Sequence, residues 1–90
     1  MKVRVRAFAQ FREIIGSEVE VEVPEGTDLI GMLARLAGGS GPVREALFDH
    51  EGTVLRHVIL MVNGKRVGGK ERYVLSEGDE VAVFPPVAGG

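Results

Sequence analysis

Ninety residues, 44% of them hydrophobic, supply one small core and little beyond it, which excludes a second domain. With no cysteine the chain has no disulfide staple, no thiolate nucleophile and no zinc knuckle, so its stability rests on burial. The net charge of -2, with the signs interspersed, gives neither a basic field for nucleic acid nor a polybasic membrane patch, and the longest aliphatic run, residues 58–62, is far short of a membrane span, so a soluble cytoplasmic protein is expected.

Residues 2–9 alternate, with Val3, Val5, Ala7 and Ala9 on one face and Lys2, Arg4, Arg6 and Phe8 on the other, the period of a half-buried strand. Residues 17–23 repeat the pattern, valines 19, 21 and 23 facing in and Glu18, Glu20 and Glu22 facing out. A Lys/Arg row opposite a Glu row favours pairing of the two as a hairpin, at ~0.2–1 kcal/mol per exposed pair. The connection, residues 10–16, is too long for a tight turn and holds Phe11, Ile14 and Ile15, so it is expected to pack back on the domain. Pro24-Glu25-Gly26 breaks the strand, and Thr27 is the expected N-cap of a helix through Ala37, with Asp28 in its first turn. Leu29, Leu33 and Leu36 recur at helical spacing, widened by Ile30, Ala34 and Ala37, and Gly31 marks a close approach to a strand.

Gly38-Gly39-Ser40-Gly41 ends that helix, and Pro42 opens a short helical turn through Phe48. Residues 49–56 read as a surface loop. Residues 58–62 are a continuous β-prone run, followed by Asn63-Gly64, the pair best suited to a type I′ turn, and a short strand at 65–67. Residues 68–72 are loop, residues 73–75 a short packed segment, Glu77-Gly78-Asp79 a turn, and residues 80–84 the last strand, with Val81 and Val83 inward. The sum is an α+β protein: a mixed sheet of four to five strands crossed by one main helix plus a short extra helix, first and last strands side by side. That is the β-grasp, ubiquitin-like architecture.

After the last strand come Pro85-Pro86-Val87-Ala88-Gly89-Gly90. The prolines fix φ and cannot donate to a ladder, so they end the strand and keep the exit extended. Gly89 and Gly90 lack Cβ atoms and fit a channel too narrow for any side chain. The domain is therefore expected to span residues 1–86, with residues 87–90 a flexible tail reaching ~17 Å from Pro86 at ~3.4 Å per residue. By strand parity Phe8 and Phe84 point outward with Arg4, Arg6 and Ala82, and Ile59 and Met61 belong to the neighbouring strand, so Phe8, Met61 and Phe84 mark a docking patch beside the exit.

Other patterns carry less chemistry. The run from Gly64 to Lys70 has phosphate-loop spacing, but Glu71 stands where magnesium needs Ser or Thr, and a hairpin turn precedes it. His50 and His57 lack the spacing of a helical metal pair. Ser76, beside Glu77 in a turn, lacks a nucleophile elbow.

Phe8-Ala9-Gln10-Phe11-Arg12-Glu13 with Gly16, the Val62-Asn63-Gly64 strand end, Gly78-Asp79-Glu80-Val81 and the diproline-to-diglycine terminus together resemble the ubiquitin-like sulfur carriers, in particular the small subunit of molybdopterin synthase. The resemblance covers nearly the whole chain. It implies that an E1-like adenylating enzyme uses ATP to activate the carboxylate of Gly90, which becomes a thiocarboxylate, and that the large synthase subunit takes the sulfur to build the dithiolene of molybdopterin. Under it Gly89 permits threading, Pro85, Pro86, Val87 and Ala88 guide the arm, and the chain binds no cofactor and no metal and is not itself a catalyst. Residues 38–57 depart from the bacterial subunits and are similar to archaeal members and to carriers that deliver sulfur to cysteine synthesis. Delivery to cysteine, thiamine or tRNA thiolation, conjugation of Gly90 to lysines as a protein modifier, and a plain interaction module remain alternative readings.

Overall fold

In the computed structural model, which describes residues 1–86, the alternation of the first strand becomes a two-faced ribbon. β1 (Lys2–Ala7) buries Val3, Val5 and Ala7 and exposes Lys2, Arg4 and Arg6. β2 (Glu18–Glu22) runs antiparallel to it, Val5 opposite Val19 and Arg4 opposite Glu20, so the glutamates do face the basic row. The resulting ion pairs are long and exposed, 3.8 Å for Lys2 to Glu20 and 4.0 Å for Arg6 to Glu18, and act on register more than on stability.

The alternation stops two residues earlier than the sequence suggests. Ala9 is exposed rather than inward, with φ 53 and ψ -129, and this turn of the backbone feeds the chain into α1 (Gln10–Ile15). The connection is thus a short helix, not an irregular segment. It buries Phe11, leaves Ile15 half-buried and Ile14 exposed, and ends at Gly16, whose φ of 107 an L side chain rarely adopts.

α2 (Leu29–Ala37) is capped by Asp28, not Thr27. The Asp28 carboxylate accepts from the Gly31 N–H at 2.8 Å, whereas the Thr27 hydroxyl donates back to the Pro24 carbonyl at 2.6 Å. Thr27 is unavailable because its carbonyl takes the Leu75 N–H and the Leu29 N–H bonds to Tyr73, a bridge that pins residues 73–75 to the helix entry. Gly31 is close to this cap rather than to a strand: a Cβ there would lie 3.0 Å from the Asp28 oxygen. The buried stripe is Leu29, Met32, Leu33 and Ala37, with Ile30, Ala34 and Leu36 half-buried at its margins. Met32 completes this face, three residues after Leu29 and four before Leu36.

α3 (Gly41–Leu47) starts from Ser40, whose hydroxyl accepts from the Val43 N–H at 3.3 Å, with Pro42 in the first turn. The following segment is more than a surface loop. Asp49 accepts from the N–H groups of Glu51 and Thr53, folding residues 49–53 into a turn that pairs Phe48 with Val54 and buries both.

β3 (Ile59–Val62), β4 (Lys65–Val67) and β5 (Glu80–Phe84) complete a sheet of five strands in the order β2-β1-β5-β3-β4, antiparallel except for β1 against β5. Three helices accompany the sheet rather than one plus an extra. Asn63 and Gly64 have φ of 50 and 84, as a type I′ turn requires. The Asn63 side chain donates to Asp79 and accepts from the Glu80 N–H, both at 2.9 Å, and so ties this turn to the start of β5. Among the described residues no charged or polar side chain is buried, and the core is aliphatic apart from Phe11 and Phe48.

Candidate functional site

The topology sets the chain's exit in the middle of the sheet. β5 lies between β1 and β3, so its last residue emerges beside the end of β1, where Ala7 faces Val83, and the start of β3, where Ile59 faces Phe84. Phe8, one residue past β1, donates its N–H to the Val83 carbonyl at 3.1 Å. That bond holds the Phe8 ring against Phe84, with centroids 4.4 Å apart and planes inclined by 8°. An offset stack of this kind is worth ~0.5–1.5 kcal/mol beyond the area it buries.

Around the stack the outer face is apolar at Ala82 and Phe84 of β5 and along β3, and charged along β1 and β2. Ile59 lies opposite Phe84 and Met61 opposite Ala82, all four half-buried. Arg6 stands at the border, its guanidinium carbon 5.7 Å from the Phe8 centroid, and reaches Glu80 at 3.5 Å and Glu18 at 4.0 Å. The two acids hold the guanidinium over the ring, where the cation meets the negative face of the π system. Pro85 is half-buried against this face and Pro86 is exposed; neither has an N–H, so the β5 ladder ends at Phe84.

The structure therefore brings Phe8 and Phe84 into direct contact and puts Met61 on the same face, one cross-strand pair further along. Pro85 and Pro86 stand where the chain leaves that face, while Val87, Ala88, Gly89 and Gly90 lie outside the described residues. Two contributors escape the sequence. Arg6 reads there as one more member of a basic row, and no residue type marks Ala9 for a positive φ, although that backbone turn directly after Phe8 opens α1.

The remaining motifs are placed elsewhere. The stretch with phosphate-loop spacing is the β3–β4 turn, β4 and a loop in which Glu71 itself accepts from the Gly68 N–H at 3.4 Å. His50 and His57 are exposed. Ser76 sits in the turn before β5, its N–H donating to Asp79 at 2.8 Å.

A β-grasp sheet that presents an apolar outer patch where its central strand runs out defines a small ubiquitin-like protein, the class of carriers and modifiers. The family model described as the ThiS family matches residues 5–90, and the chain belongs to that family. It is similar to small archaeal modifier protein 3 of Haloferax volcanii, 35% identical over 97 aligned residues that cover all of both chains. It is also similar to the molybdopterin synthase sulfur carrier subunit of Chlamydomonas reinhardtii, 29% identical over 91 residues, again all of both chains. The crystal structure of SAMP1 from Haloferax volcanii matches the fold with a TM-score of 0.83 at 30% identity, over all of both chains.

Proposed function

We infer that the working group of this protein is the carboxylate of Gly90, presented beyond Pro86 to enzymes that supply all the reactivity. A carboxylate is a poor electrophile, and sulfur does not displace its oxygen until that oxygen becomes a leaving group. An E1-like adenylating partner provides this: the carboxylate attacks the α-phosphorus of ATP, pyrophosphate leaves, the outer sulfur of a persulfide donor displaces AMP to form an acyl disulfide, and a thiol cleaves the S–S bond, releasing the thiocarboxylate and ending in a disulfide with the donor. The chain's own residues do the positioning. Phe8, Met61 and Phe84 dock the body, Pro85 and Pro86 stop the ladder and direct the arm, and Val87, Ala88 and Gly89 thread. ATP and every general acid or base belong to the partner.

The acceptor of the sulfur in this reading is the large subunit of molybdopterin synthase, which the likeness to the algal sulfur carrier subunit supports. A second reading, conjugation of Gly90 to lysine amines, is favoured by the likeness to an archaeal modifier protein. Both begin with the same acyl adenylate and differ in the nucleophile that follows. The observation that carries the common step is the stacked Phe8–Phe84 patch at the end of β5, in a chain whose family match runs through Gly90.

The test is mass spectrometry after incubation with the cognate E1-like enzyme, ATP, a persulfide donor and a thiol reductant. Trypsin cleavage after Arg72 releases residues 73–90, which contain no methionine, so oxidation of Met1, Met32 or Met61 does not imitate the result. Exchange of sulfur for oxygen adds about 16 Da to that peptide, and deletion of Gly90 abolishes it. An unmodified peptide under conditions that convert another member of the family would overturn the carrier reading, and residues 73–90 found as a branch on lysines of other proteins would move the assignment to the modifier.

A further inference from the structure

The charge of this chain is unevenly distributed. Residues 54–75 carry five basic side chains, Arg56, Lys65, Arg66, Lys70 and Arg72, against one acid, Glu71, while the rest of the chain carries six against twelve. An acidic protein therefore holds a local excess of positive charge on β4 and the segments around it. Among the described residues only one of these five cations, Arg72, has an ion-pair partner, Asp28 at 3.9 Å. The single acid is occupied too, since Glu71 accepts from the Gly68 N–H.

This basic region coincides with an open strand edge. β4 is the last strand of the sheet on its side, and no described strand pairs with its outer edge. In the β3–β4 hairpin Lys65 faces Val62 and Val67 faces Leu60 in the hydrogen-bonded positions next to a two-residue turn, which aims the N–H and C=O of Arg66 outward. At the end of this hairpin opposite its turn, where the chain enters β3 and leaves β4, a groove runs between residues 54–58 and 68–71. Val54, Leu55 and Val58 form its apolar wall, the bare α-carbon of Gly69 lies against Val54, and Arg56, Lys70 and Glu71, the last engaged by the Gly68 N–H, complete its lining. By strand parity Val58 points away from Ile59 and Met61, so the groove is separate from the outer patch beside the exit.

We propose that the β4 edge and its groove dock an extended acidic segment of a partner protein, one apolar side chain entering the groove and flanking carboxylates meeting Arg56, Arg66 and Lys70. The unpaired cations select carboxylates, the Arg66 backbone offers a strand-type pair, and the aliphatic wall takes a Val- or Ile-sized anchor. Nucleic acid is the poorer fit, because the wall has no aromatic platform for a base and Tyr73 is packed against the core. A second copy of the chain is also poorer. Its acidic β2 edge already spends Glu18 on Arg6 and Glu20 on Lys2, and edge-to-edge pairing of different strands would not close.

The experiment uses the full chain, isotopically labelled and not exposed to any activating enzyme, titrated with a synthetic peptide of Val-Ile flanked by two glutamates on each side. The expected result is amide shifts at Arg56, Arg66, Gly68, Gly69 and Lys70 without shifts at Phe8, Met61 or Phe84, and binding weakened at least about tenfold by R66E/K70E. Both substituted side chains are exposed, and an unchanged thermal melt of the variant confirms that the fold is retained. A chain lacking Gly90 binds the peptide equally, which separates this surface from the tail chemistry. The proposal is overturned by equal binding of a control peptide with lysines in place of the glutamates, by shifts centred on Phe8 and Phe84, by an oligonucleotide displacing the peptide, or by a concentration-dependent dimer of the free protein that R66E/K70E dissolves.

Discussion

The Phe8–Phe84 stack can be measured by a double-mutant cycle. Truncating a fully buried phenylalanine to alanine costs ~3–5 kcal/mol, and both rings are half-buried, so Phe8→Ala and Phe84→Ala should each cost about 2 kcal/mol. The Phe8 N–H bond to Val83 and the β5 ladder survive both truncations, since they are backbone contacts, so the change reports on the rings. With centroids 4.4 Å apart and nearly parallel planes, the coupling should be about 1 kcal/mol, and the double variant should lose about 3 rather than 4 kcal/mol. At ~4–8 °C per kcal/mol for a domain of this size, each single variant should melt roughly 8–16 °C lower than the parent. Urea denaturation of the parent, both singles and the double at one temperature measures the coupling directly. Additivity within ~0.3 kcal/mol would show that the rings do not interact in solution and would remove the stack as the scaffold of the patch.

Asn63→Ala should lose ~1–3 kcal/mol in the same assay, because it deletes two side-chain hydrogen bonds and forces alanine into a positive φ, while Asn63→Gly, which tolerates that φ, should lose less. Asp28→Ala removes the α2 cap and should cost ~1 kcal/mol, with hydrogen exchange at the Gly31 amide accelerated more than at Leu33. Leu33→Ala, at a fully buried site under the sheet, should cost ~2–5 kcal/mol, measured by the midpoint of urea unfolding.

The strands were legible because their signals are local. Alternating valines against charges, a Lys/Arg row facing a Glu row, and Asn-Gly between β-prone runs each specify backbone geometry within a few residues, and the registers of β1 with β2 and of β3 with β4 follow. What the sequence hid depends on contacts between distant segments. Thr27 is as good a cap by type as Asp28, and only the bridge to residues 73–75 decides between them. At the candidate site, parity put Phe8, Met61 and Phe84 on one face, but the ring stack and the placement of Arg6 between Glu18 and Glu80 need three strands in register at once.

The placement of β5 also has a mechanical consequence. β5 is hydrogen-bonded on both sides, parallel to β1 and antiparallel to β3. A pull applied beyond Pro86 runs along the strand axis, so the ladder bonds to both neighbours resist together in shear, whereas the same force along edge strand β4 meets the bonds of one neighbour alone. Any machine that drags on this protein from its C-terminal side thus grips a strand held on both sides and must break two ladders to withdraw it.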